Sequence, residues 1–377
     1  MKFNTKCVHG SGKPDSTGAI SPAIYMSSTF THPGLGETTG FQYTRESNPT
    51  RDRLETLIAG LEEGTDAIAF SSGMAAVDAV FHLFSPGDHV ILGDDLYGGS
   101  IRLFTNIYEK NGVEFTYVGT SDLDAVQAAF KPNTKAVYIE TPTNPMMEIT
   151  DVRALSKMAH DRNALVIVDN TFLSPYFQKP LHLGADIVVH SGTKFIGGHH
   201  DVISGFTIVK DDDLAAQLRF IYKTVGACLS AFDSWLVIRG IKTLALRMEQ
   251  HQKNAIALAE WLKQEPKVTK VLFPGLPDHP GYEVNKSQTT GFGGMLSFEV
   301  DSEETAKQVL EGIQLIQFAE SLGGTESLLT YPVTQTHPDL KPEDAERKGI
   351  TRRLLRLSVG IEDTDDLIAD LAQAFNK

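Results

Sequence analysis

Between residues 67 and 209 short apolar runs alternate with helical patterns. The runs are Ala67–Phe70, His89–Leu92, Ala136–Ile139, Leu165–Val168, Ile187–Val189 and Phe206–Val209. Successive positions in each are mostly apolar, so both faces of such a strand are buried, as in a parallel sheet covered by helices. Helical patterns fall between them at Met74–Phe84, Leu123–Phe130 and Val152–Asp161. Strands that alternate with helices predict an α/β fold with a mostly parallel sheet. Ligands of such folds sit outside the carboxyl ends of the strands.

The flanking segments read differently. Residues 1–46 are rich in Ser, Thr, Gly and Pro and show no helical period, which predicts an arm that wraps a neighbour, carries a binding loop or is partly mobile. Asn48-Pro49 marks a helix start. Leu54, Leu57, Ile58 and Leu61 give that helix one buried face, and Gly64 is expected to end it. Residues 230–264 predict one long helix, or two broken near Gly240, linking to a second unit. That unit has strands at Lys270–Phe273, Met295–Val300 and Leu354–Val359 and helices at Glu303–Gly312 and Thr364–Phe375, an α+β pattern. The expected division is an arm over 1–46, a large domain over 47–238 and a small domain over 239–377.

Composition removes several classes. A chain of 377 residues with 41% apolar and 22% charged residues is not mainly disordered. Thirty-four Lys and Arg against 48 Asp and Glu give a net charge of −14, which argues against nucleic acid or an anionic membrane as partner. Cys7 and Cys228 cannot build a disulfide framework or a zinc set by themselves. The opening residues carry Lys2, Lys6 and Lys13 with no apolar run behind them, and no long apolar stretch follows, so neither a secretory signal nor a membrane span is expected. A cytoplasmic location is expected.

Five features can carry chemistry. Ser191-Gly192-Thr193-Lys194 follows a strand directly, so Lys194 is either an exposed loop lysine or an amine aimed into a cleft. Asp169 follows Leu165–Val168 and is either a partnered acid at the sheet's carboxyl end or an Asx turn with Asn170 and Thr171. A lysine for an aldehyde and an acid for a ring nitrogen are what pyridoxal phosphate requires, and two strand ends can bring them together. Ser71-Ser72-Gly73-Met74 opens a helix after a strand, either as a tight turn or as a phosphate cradle. Tyr43 and Arg45 lie in the polar arm, exposed or reaching a ligand. In Leu354–Val359 a period of two sets Arg356 and Ser358 opposite the leucines, so Arg356 is a solvated residue or a carboxylate binder.

Other motifs fail. Gly34-Leu35-Gly36 lacks the dinucleotide spacing, and Gly12-Lys13 is followed by Pro14, so a nucleotide-dependent oxidoreductase finds no support. His199-His200-Asp201 reads as a polar loop, and no metal is expected.

The five features occur in the order found in the pyridoxal-phosphate enzymes of Cys/Met transsulfuration, a family the sequence resembles from about Tyr25 onward. The blocks that carry the likeness are Tyr43-Thr44-Arg45 with Asn48-Pro49-Thr50, Ser71–Met74, Asp94-Asp95-Leu96-Tyr97-Gly98-Gly99 and Glu140-Thr141-Pro142-Thr143-Asn144-Pro145. They continue with Val168–Thr171, His190–Lys194, Glu320-Ser321-Leu322-Gly323-Gly324 and Arg356–Gly360. The resemblance implies a fold-type I transferase-like architecture with helices on both faces of the central sheet. It implies Lys194 as the Schiff-base lysine, Asp169 as partner of the ring nitrogen and Tyr97 stacked on the ring. Gly73, Met74, Ser191 and Thr193 would hold the phosphate, and Asn144, Ser321 and Arg356 the substrate carboxylate. Tyr43 and Arg45 would enter from a neighbouring subunit of a homotetramer built as a dimer of dimers, with Lys194, Tyr97 and Tyr43 as the catalytic set.

Within the family, γ-lyases, γ-synthases and β-lyases of cystathionine share these residues. Methionine γ-lyases usually carry Cys where this chain has Gly99. Enteric β-lyases flank the carboxylate-binding serine with Tyr and Trp, where this chain has Glu320 and Leu322. Many γ-lyases have Glu before the arm tyrosine, where this chain has Gln42, so Glu320 is the candidate acid for a distal ammonium. The expectation is a cystathionine γ-lyase, with γ-synthase and β-lyase as alternatives and a non-catalytic regulatory relative as the reading from a different class. Retention of Lys194 and Asp169 argues against the last.

Overall fold

The alternating segments form one sheet. A computed structural model describes residues 1–336 and 342–377. Its first seven strands are β1 (Asp66–Phe70), β2 (His89–Gly93), β3 (Glu114–Val118), β4 (Thr134–Glu140), β5 (Leu165–Asp169), β6 (Ile187–Ser191) and β7 (Gly205–Val209). Their order is β1-β7-β6-β5-β4-β2-β3, and β7 alone opposes its neighbours. The reason is local: the loop after β6 returns as β7 with no crossover helix, so the chain must run back antiparallel.

Both faces are buried, as the continuous apolar runs require. Ala67, Ala69, Val137, Ile139, Val166, Val168, Val188 and Ile208 join one apolar core. Their alternating neighbours Ile68, Phe70, Ala136, Tyr138, Ile167, Val189 and Val209 join a second core on the other face. All six expected strands are present. β3 is additional: Glu-Phe-Thr-Tyr-Val lies at the sheet edge, half-exposed, and therefore lacks the apolar run of an interior strand.

The helix Pro49–Glu62 is capped by Asn48, whose side chain accepts the Thr50 N–H at 2.9 Å. Its termination corrects one expectation. Glu63, with φ +62°, makes the left-handed turn, and Gly64 serves a different need. A Cβ on Gly64 would lie 2.5 Å from Ile208 Cγ2 and 2.8 Å from the Val209 carbonyl, so glycine lets the chain pass against β7. The arm differs too. Phe3–His9 is a short helix that buries Cys7 in the first core, too short for a period to show in sequence.

A second sheet comprises β8 (Val268–Leu272), β9 (Met295–Val300), β10 (Gln317–Phe318), β11 (Leu328–Thr330) and β12 (Leu354–Ser358), in the order β10-β11-β12-β9-β8. Helices Glu303–Gly312 and Thr364–Phe375 cover it around a third core. The connecting region is two helices, Ala231–Ile241 and Leu244–Leu262. The second serves both units: Leu244 and Met248 pack in the first core, Ala255, Leu258 and Leu262 in the third. Among the described residues no helix is long and apolar enough to cross a membrane.

Candidate active site

Strand direction gathers the chemistry at one end of the large sheet. A cavity of about 370 Å³ is lined by residues just past the carboxyl ends of β1, β2, β4, β5 and β6, and by the second sheet. It brings together Gly73, Met74, Tyr97, Asn144, Asp169, Ser191, Thr193, Lys194, Glu320, Ser321 and Arg356.

Lys194 is not a loop lysine in solvent. Its Nζ donates to Ser321 Oγ at 2.7 Å, across from one sheet to the other. Burial and the nearby Arg356 guanidinium push its ammonium down to about 8, against a smaller opposing pull from Glu320. Asp169 satisfies both of its expected readings. Its Oδ1 accepts the Thr171 N–H at 2.9 Å and the Thr171 hydroxyl at 2.5 Å, an Asx turn at the floor of the cavity. Both bonds fall on Oδ1, and Asp169 lines the cavity. Burial pushes the Asp169 carboxyl up, against the donors of Thr171.

The helix Gly73–Phe81 opens at the cavity with Ser72 as its cap, the Ser72 hydroxyl accepting the Ala75 N–H at 3.0 Å. The first-turn amides of Gly73 and Met74 thus lie beside Ser191 and Thr193, a donor set for an anion. Close packing makes the cradle possible. A Cβ on Gly73 would meet Ser191 Cβ at 2.9 Å, and one on Gly205 would meet the Ser72 carbonyl at 2.1 Å.

Arg356 is 1% exposed, so the solvated-face reading does not hold. Its Nη1 donates to Asn144 Oδ1 at 2.8 Å, and its Nη2 donates to the Ser321 carbonyl at 3.0 Å and to Thr330 Oγ1 at 3.2 Å. Ser321 holds φ +86°, a costly conformation for a non-glycine residue. It turns the carbonyl to Arg356 while the hydroxyl meets Lys194, so strain coincides with two functional contacts.

Tyr43 and Arg45 stand outside this cavity within their own chain. Both are exposed, with the Arg45 guanidinium 5.5 Å from the Tyr43 ring centre and donating to the Lys223 carbonyl. Sequence reasoning missed Glu140, Thr171 and Arg102, which also line the cavity. Glu140 pairs in register with Asp169 and accepts the Tyr97 N–H at 2.9 Å, and burial beside Asp169 pushes its carboxyl well above the usual range. The signal that marked Asp169, an acid closing an apolar strand, applies equally to Glu140.

The sequence matches the Cys/Met metabolism PLP-dependent enzyme family over residues 4–376. The chain belongs to that family. It is 48% identical to a cystathionine β-lyase of Lactococcus lactis subsp. cremoris (strain MG1363), covering 100% of this chain and 99% of that one. It is 50% identical to a cystathionine γ-synthase of Haemophilus influenzae (strain ATCC 51907 / DSM 11121 / KW20 / Rd), covering 97% and 95%. A crystal structure of cystathionine γ-lyase from Lactobacillus plantarum complexed with L-serine superposes with a TM-score of 0.98 at 47% identity, covering 100% of this chain and 99% of that one. As a family member the chain has the fold-type I architecture, binds pyridoxal phosphate and performs the family's carbon–sulfur chemistry in cysteine and methionine metabolism. The residues fit that cofactor: an amine near its free form, a buried carboxyl held by Thr171 in the same cavity, and a helix start cleared by glycine for a phosphate.

Proposed function

We propose that this family member is a cystathionine γ-lyase, which cleaves L-cystathionine to L-cysteine, 2-oxobutanoate and ammonia. The observation that supports the reading is the charge set of the cavity beyond the buried pair Glu140 and Asp169: two arginines, Arg356 and Arg102, and the acid Glu320, with Lys194. Cystathionine has two amino-acid ends, each with a carboxylate and an ammonium. Arg356, oriented by Asn144, takes the carboxylate at the reacting end. Arg102 and Glu320 match the carboxylate and ammonium of the far end.

Bound pyridoxal phosphate supplies the electron sink that makes the substrate's Cα–H acidic. The chain's own groups do the rest. Lys194, with its ammonium near 8, offers free amine close to neutral pH for capture of the cofactor and then for removal of the Cα proton. For γ cleavage the same Nζ moves a second proton at Cβ. Asp169 would hold a proton on the ring nitrogen, and Gly73, Met74, Ser191 and Thr193 would hold the phosphate. Tyr97, its backbone fixed by Glu140, would pack on the ring. The exposure of Tyr43 and Arg45 in a single chain supports an arm that completes a neighbour's site in a homotetramer, where Tyr43 protonates the departing thiolate.

Product identity after incubation with L-cystathionine tests this. Cysteine with 2-oxobutanoate upholds γ cleavage. Homocysteine with pyruvate reassigns the chain to β-lyase, and formation of cystathionine from a homoserine ester and cysteine, without cleavage, reassigns it to γ-synthase. Purified protein without visible cofactor absorbance points to the non-catalytic relative.

A further inference from the structure

Beneath the site lies a polar cluster that none of these roles uses. Glu62 ends the helix Pro49–Glu62 and is fully buried. Its Oε1 accepts a hydrogen bond from His190 Nε2 at 2.6 Å and another from Asn170 Nδ2 at 2.8 Å. Asn170 also donates to the Gln178 carbonyl at 3.1 Å. Gln178 Nε2 in turn donates to Asn170 Oδ1 at 3.1 Å and to the Thr141 carbonyl at 3.3 Å. The four side chains are at most 1% exposed.

Such a cluster is expensive where it stands. Its surroundings are the first core, which includes Leu61 next to Glu62, and Val168 and Val188 two positions before Asn170 and His190. Apolar packing would hold helix to sheet there without desolvating a carboxylate, an imidazole and two amides. The linked positions suggest what the polar groups achieve instead. Thr141 follows the end of β4, Asn170 follows the end of β5, and His190 is the penultimate residue of β6. Each adjoins a residue of the cavity: Glu140, Asp169 and Ser191. Asp169 pairs in register with Val189, which faces the second core, whereas the helix of Glu62 packs in the first. The cluster therefore grips the strand ends from the side opposite Asp169.

We propose that Glu62 is a positioning residue: a buried staple that holds the exits of β4, β5 and β6 together and so sets the spacing between Asp169 and Lys194. This rests on the roles given above to those two residues. Hydrogen bonds rather than apolar contact do the positioning because they fix direction as well as distance.

The test measures the dissociation constant for pyridoxal phosphate on apoprotein. It also measures kcat and KM for L-cystathionine at saturating cofactor, and the thermal midpoint of the holoenzyme. Glu62→Ala is expected to weaken cofactor binding and lower kcat, each by about tenfold to a hundredfold, with KM little changed. Glu62→Gln keeps an acceptor oxygen in place and is expected to recover most of that loss, to within about threefold of the wild type. Wild-type cofactor affinity and kcat in Glu62→Ala would overturn the staple, as would Glu62→Gln being as impaired as Glu62→Ala. Should Glu62→Ala not fold, His190→Phe fills the same apolar face without the contact. It must show the same loss of affinity and kcat, and wild-type values in it overturn the proposal. If the wild-type protein turns over a different sulfur amino acid, the substrate reading fails but the cofactor measurement still decides this one.

Discussion

The double role proposed for Lys194, nucleophile and base, needs a loosely held proton, and its position provides one. It is withdrawn from water beside a fixed guanidinium, and its hydrogen bond goes to a neutral hydroxyl rather than to a carboxylate. Replacing Lys194 by Ala is expected to lower kcat/KM by more than about 1,000-fold while the fold, followed by circular dichroism, is unchanged. The pH dependence follows in sign. Below about 8 the ammonium form of Lys194 predominates, so capture of pyridoxal phosphate by apoprotein should slow as pH falls through that value. A capture rate that stays flat between pH 7 and 9 would remove Lys194 as the titrating nucleophile.

At the scale of elements, the phosphate cradle depends on how closely one helix start approaches the β6–β7 corner. Gly205→Ala would drive a methyl into the Ser72 carbonyl. The expected result is a loss of about 1–3 kcal/mol in stability, read from denaturant unfolding, together with weaker cofactor binding. A second element carries an acid-sensitive latch. His251, on the helix Leu244–Leu262, donates from Nδ1 to the Val359 carbonyl at 2.7 Å and packs edge-on to Phe195. Burial pushes its imidazole down from 6.5 to about 4, against the hydrogen bond to the Val359 carbonyl, and the Arg247 guanidinium adds to the depression. The unfolded chain therefore binds a proton here that the folded chain refuses, and stability falls as pH drops from about 6.5 toward 4. Over that window the wild type should lose about 3 kcal/mol more than His251→Gln, measured by urea unfolding. Equal losses would mean that His251 titrates normally.

These elements also show what sequence could reveal. Strands buried on both faces announce themselves by continuous apolar runs, so β2, β4, β5, β6 and β7 were visible, as was β1, an edge strand that is nonetheless buried, and Asp169 and Lys194 past the strand ends. The edge strand β3 was not, since its exposed positions admit Glu114 and Tyr117. Nor was the helix Asp212–Val225, of which only Ala215, Leu218 and Tyr222 are buried. Motif likeness named Ser321 and Arg356 but could not supply the positive φ or the Asn144 contact, because those arise where two sheets meet.

At the scale of the whole molecule, two arm residues face away from their own cavity, which makes completion by a neighbour a testable matter. Lys194→Ala and Arg45→Ala proteins, each inactive alone, are expected to regain activity after subunit exchange. Each mixed pair then holds one site with both wild-type side chains. No recovery despite verified exchange would mean that every chain builds its site unaided.

The amine of Lys194 comes off one sheet, whereas its hydroxyl partner and the carboxylate clamp come off the other. On the proposed roles, a substrate held by Arg356 while it reacts at Lys194 is a crossbeam between the two sheets, added to the bonds they already share, Lys194 to Ser321 and Arg356 to Asn144. On that reading a bound substrate adds a tie between the sheets that is given up each time the products depart.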